Sequence, residues 1–160
     1  LKSQLLSAGL LTLLATIPSV HAAPPEPEPE LIFNCELTNG KYVIVRLDHD
    51  VPTYYYGSLE KVEMTLPQNE GDKTQVRLGE MTFSGGGAYY YRFINGNYSY
   101  VVYSGTGKGW DYTGLKVYKN QKLIMKKECT NGGFLPNEYR GQGLVKEADT
   151  GDDATYGYVD

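Results

Sequence analysis

Between residues 31 and 130 the chain alternates. "EKVEMTL" sets Val62, Met64 and Leu66 against Lys61, Glu63 and Thr65, a period of two that suits a β-strand with one wet face. Short runs of the same kind follow one another: "LIFNCEL", "KYVIVRL", "VRLGEMTF", "GGGAYYYRF", "NYSYVVYS". Turn signals separate them, among them Thr38-Asn39-Gly40, Asn95-Gly96 and Asn120-Gln121. "TYYYGSLEKVEMTL" supplies two short strands or one bent at Gly57, and "PQNEGDKTQ" is a polar turn. No segment of any length combines helical periodicity with helix-forming composition. The pattern predicts an all-β fold, a small antiparallel barrel or sandwich of about eight strands.

One hairpin shows how the faces divide. A two-residue turn at Asn95-Gly96 pairs Ile94 with Asn97, Phe93 with Tyr98, Arg92 with Ser99 and Tyr91 with Tyr100. Phe93, Tyr98, Tyr91, Tyr100, Tyr89 and Val102 then share one face, the better core candidate. The other face carries Arg92, Ser99, Tyr90, Val101 and Tyr103, more large residues than a plain solvated face requires. The chain has fifteen tyrosines. β-propensity and amphipathic packing account for many of them, and a contact surface is the functional alternative.

The ends differ from the middle. Residues 1–22 have Lys2, a short apolar run and small residues before Ala23, the form of a secretory signal peptide. The run is shorter than the roughly 20 residues of a spanning helix and is broken by Gly9 and Pro18. The expected product is periplasmic or secreted, without a membrane anchor after cleavage. Residues 23–30, "APPEPEPE", read as an extended Pro/Glu-rich linker. Residues 131–160 read as an acidic, largely disordered tail. This leaves residues 31–130 as the β domain.

Export makes a disulfide the natural state of the two cysteines, Cys35 and Cys129, which bracket that domain. The domain holds twelve Lys/Arg and ten Asp/Glu, too balanced for nucleic-acid binding. Catalytic groups are few. Past residue 22 the one histidine is His49, which excludes the usual zinc sites and leaves no recognisable nucleophile motif. "LDHD" places Asp48, His49 and Asp50 together at a strand end, where solvated turn residues are the ordinary case and paired carboxylates or a Ca²⁺ site the alternative. No cofactor is expected, and the chain is read as a non-enzyme.

"YSGTGKGWDYTG", residues 103–114, surrounds Lys108 with Gly105, Gly107 and Gly109. A P-loop would need glycine at Val102 and Ser or Thr at Gly109; a dinucleotide fingerprint would need glycine at Trp110. Neither fits, and no helix follows to receive a phosphate. Two readings remain. One is a glycine-rich connection between strands; the other is a protruding loop that presents Lys108, with Ser104 and Thr106 as donors and Trp110 and Tyr112 as anchors. Tyr90 and Arg92 are added as surface contacts.

Cys35, Gly40 and Val45 follow the pattern C-x-x-x-x-G-x-x-x-x-V, and Ser104, Thr106 and Gly107 match S-x-[ST]-G. With export and a β domain, these features resemble the periplasmic inhibitors of C-type lysozyme. That family is built as small antiparallel barrels and pushes a loop reading like S-A-S-G-A-R-Y into the lysozyme cleft. Here Lys108 stands one position before the family's basic residue, and Gly109 occupies that residue's place. The resemblance covers about half of the domain and implies an inhibitor or immunity protein, with a cell-wall hydrolase as protein partner. A carbohydrate- or peptidoglycan-binding module using exposed aromatics is the alternative, and a structural envelope protein another.

Overall fold

The computed structural model describes residues 23–26, 28–133, 141–148 and 151–158, with the side chains of 151–153 left aside. The expected signal peptide lies outside these residues. Ten strands form one sheet: β1 Glu30–Leu37, β2 Tyr42–Asp48, β3 Val51–Gly57, β4 Val62–Leu66, β5 Val76–Phe83, β6 Gly86–Asn95, β7 Tyr98–Gly107, β8 Trp110–Lys119, β9 Lys122–Gly132 and β10 Val145–Lys146. Their order is β10-β5-β6-β7-β8-β9-β1-β2-β3-β4. Every neighbouring pair is antiparallel except β10 on β5.

The all-β expectation holds, with two corrections. Among the described residues there are ten strands instead of about eight, and the sheet is not closed into a barrel. It curls instead, so that the inner faces of β1–β4 and β5–β8 meet. Tyr54 of β3 packs its ring 5.4 Å from Phe93 of β6 and 5.8 Å from Tyr100 of β7. Phe33, Val43, Val45 and Leu66 from one half, with Val76, Val102 and Leu115 from the other, complete this core. The Cys35–Cys129 disulfide is present, with a Cα–Cα distance of 5.5 Å, and ties β1 to β9 where the two halves join.

The hairpins follow the turn chemistry. His49 and Asp50 take positive φ in the two-residue turn between β2 and β3, as Asn120 and Gln121 do between β8 and β9. Asn and Asp, with occasional other residues, tolerate that region when a primed turn demands it. Between β6 and β7 the turn is Gly96-Asn97, because Asn95 pairs with Tyr98 and Phe93 with Tyr100. The sequence expectation of Asn95-Gly96 is therefore one residue out. Gly96, with φ of 59°, supplies the positive φ at the first turn position instead of the second. The shift moves each residue's partner along by two, so the face assignment survives: Tyr91, Phe93 and Val102 are inside, with Tyr89, Tyr98 and Tyr100 packed on them.

The opposite face of β5–β8 is a second core. Met81, Ala88, Tyr90, Val101, Tyr103, Tyr112 and Tyr118 are buried there together with Tyr156. The cover is the C-terminal segment: β10 on the edge of β5, and a 3-10 helix, Gly151–Tyr156. Residues 131–160, read from sequence as largely disordered, thus include ordered structure at 141–148 and 151–158. The physical reason is specific pairing. Glu147, buried, accepts from the Tyr90 hydroxyl at 2.8 Å and from Arg92 Nε at 2.7 Å. Lys116, fully buried, donates to the carbonyls of Tyr156 and Tyr158 at 2.8 and 2.6 Å. Its ammonium also lies 4.0 Å from the Tyr103 ring centroid, a cation–π contact.

Candidate functional site

The glycine-rich stretch is mostly strand. β7 runs through Gly107 and β8 begins at Trp110, so only Lys108 and Gly109 turn the corner. Gly109 takes φ of 82°, which a side chain would strain. Gly107 has a different duty: a Cβ there would stand 2.2 Å from the Trp110 indole nitrogen, so the missing side chain lets the indole lie across the strand. The connection is thus a tight hairpin end instead of an open loop.

A second hairpin end sits beside it. Ser84 and Gly85 link β5 to β6, and the Lys108 amide donates to the Ser84 carbonyl at 3.1 Å. "SGGG" and "GTGKG" therefore form one double tip, with Lys108 exposed on it. Behind the tip, Phe83 and Trp110 meet edge to face at 5.3 Å between centroids, and Tyr158 lies 6.1 Å from Phe83.

These rings open onto a cleft of about 800 Å³ on the outer face of the sheet. Phe83, Trp110, Tyr112 and Tyr158 supply its aromatic lining; Thr38, Asp111, Lys126 and Glu128 supply its polar lining. The Lys126 ammonium stands 4.8 Å from the Tyr112 ring centroid. Tyr112 itself is buried and directs its hydroxyl to the carbonyls of Leu115 and Lys127. Burial holds that phenol well above its usual range, so it stays neutral in ordinary conditions.

The residues singled out from sequence fall into two groups. Lys108 and Trp110 lie at the tip, Thr106 is exposed beside it opposite Asp111, and Tyr112 forms part of the cleft lining. Ser104 is half-buried and shares a hydrogen bond of 3.0 Å with Thr113 across the ladder. Tyr90 and Arg92 are elsewhere, turned toward Glu147 and Tyr156 of the same chain, with the Arg92 guanidinium 4.3 Å from the Tyr156 ring centroid. Phe83, Tyr158, Lys126 and Glu128 were not singled out from sequence. Only the cross-strand register could have found them, since they come from β5, from β9 and from the C-terminal segment.

A second cleft, of about 790 Å³, gathers Glu26, Glu28 and Glu30 with Asp48, Asp50 and Glu70 around His49. Its turn residues have structural partners. Asp48 accepts from the Tyr55 hydroxyl, and Asp50 accepts from the Gln142 amide at 3.2 Å and pairs with Lys73 at 3.4 Å. Burial, then the bond to Asp48, pushes the Tyr55 phenol up to about 12. Among the described residues no group of three or more His, Cys, Asp or Glu is arranged to hold a metal ion. Nor is any helix among them long and apolar enough to cross a membrane. Comparison with protein-family models, with curated proteins and with solved structures found no match.

Proposed function

We propose that this chain is an exported, non-catalytic binding protein that blocks a lysozyme-like cell-wall hydrolase, placing the Lys108 tip in the enzyme's acidic cleft. One observation carries the reading. Lys108 is an exposed cation at the end of a two-residue turn, and that turn is bonded to a neighbouring hairpin. A finger already ordered in the free protein loses little conformational entropy on insertion. A compact ammonium flanked by glycine fits a narrow groove and meets paired carboxylates as a point charge. The disulfide is compatible with an oxidising, exported compartment, which is where cell-wall hydrolases act.

The test is inhibition of a panel of lysozymes and peptidoglycan hydrolases by the purified protein. Lys108→Ala is expected to weaken inhibition by about tenfold or more, the scale of a close charge pair lost from an interface. Lys122→Ala is the control, an exposed lysine beside the opposite end of β8 from the tip, with an expected change of less than about twofold. A panel left fully active, or equal losses from the two variants, overturns the proposal.

A further inference from the structure

We infer that the cleft behind the double tip binds an oligosaccharide, a neutral chain of pyranose rings, independently of any hydrolase. Three features point to this chemistry. The first is the aromatic surface. Trp110 is half-buried, with part of its indole at the cleft, and Tyr158 is 46% exposed at its other side. Rigid rings of this kind offer apolar area to the C–H faces of a sugar at small entropic cost.

The second is the polar complement. Asp111 and Glu128 are exposed carboxylates that accept hydrogen bonds from ring hydroxyls, while the Lys126 ammonium and the Thr38 hydroxyl donate to ring and hydroxyl oxygens. Two carboxylates against one ammonium disfavour an acidic polymer and give no basic track for nucleic acid. A neutral, hydroxyl-rich ligand uses all of these groups without burying an uncompensated charge of its own.

The third is the form of the site. Its volume of about 800 Å³ lies within the range of small-ligand pockets, and aromatic and polar residues share its lining equally, as a hydroxyl-rich ligand with apolar C–H faces requires. The C-terminal segment contributes Tyr158, so the ordering of that segment completes one wall. Lys116 holds the wall in place through the carbonyls on either side of Gly157.

The chain's one tryptophan is Trp110, so tryptophan emission reads this cleft directly. The purified protein would be titrated with tetrasaccharides of β-1,4-linked N-acetylglucosamine and of β-1,4-linked glucose, with oligogalacturonate as the acidic comparison. A saturable emission change with at least one neutral glycan, and none with the acidic one, is expected. Calorimetry of Tyr158→Ala and Glu128→Gln should show affinity lower by about fivefold or more for each. No saturable change with any neutral glycan overturns the inference, as does wild-type affinity in both variants. Saturation by a tyrosine-rich peptide with no glycan response also overturns it, in favour of a protein ligand. The titration contains no hydrolase, so its failure and the failure of the inhibitor reading are separate results.

Discussion

Glu147 shows how much a single residue organises here. Its carboxylate serves the Tyr90 hydroxyl and the Arg92 guanidinium, and its amide donates to the Leu78 carbonyl at 2.8 Å. The Arg92 and Glu147 side chains are only 12% and 2% exposed, so removing one charge leaves the other in a poorly solvated site. Glu147→Gln keeps the shape and is expected to cost about 3 kcal/mol of docking of the C-terminal segment. Amide exchange of residues 145–148 and 151–158 would rise sharply while β7 and β8 stay protected; unchanged protection of those residues would contradict the account. Little of this was legible from sequence. Glu147 stands 55 residues from Arg92, in a stretch whose acids and glycines suggest disorder. The signal lay at the other end of the contact: Tyr90, Val101 and Tyr103 were a surplus of large side chains on a face that should have been wet.

At the scale of elements, alternation and turn residues carried most of the reading. β1, β2 and β5 fall where their runs of alternating residues place them, and the Asn120-Gln121 turn is as expected. The β6–β7 register was misplaced because a two-residue turn can put its glycine at either central position, and the dipeptide alone does not choose. The glycine-rich stretch was harder. Gly107 is there for the indole and Gly109 for the turn, yet in sequence both look like looseness. Hence a hairpin of full ladder pairing, Gly107 opposite Trp110, was read either as a glycine-rich connection between strands or as a protruding loop. The cleft was half legible, through Trp110 and Tyr112. Its remaining walls depend on which strand lies next to which, and on the return of the chain at Tyr158.

The whole molecule is a curled sheet with a core on each face, and its buried tyrosines give it an alkaline limit. Burial raises the phenols of Tyr54, Tyr103 and Tyr112 well above 10, and that of Tyr55 to about 12. A raised folded-state value means the neutral phenol is favoured by folding. That contribution is complete below pH 10 and is lost as pH rises from 10 through the folded value. Urea midpoints are therefore expected to stay flat from about pH 8 to about pH 10 and to fall above it, with tyrosinate absorbance growing as β-sheet dichroism disappears. Ionisation of all tyrosines near pH 10 with the sheet intact would refute this. The same rigid sheet, with β1 and β9 tied together by the disulfide, is what would let the molecule drive a small tip into a partner. A double-mutant cycle measures that insertion most directly, pairing Lys108→Met with Glu→Gln at the catalytic acid of the inhibited hydrolase. The account predicts a coupling of about 1.5 kcal/mol or more. Additive losses, within about 0.5 kcal/mol, would contradict it.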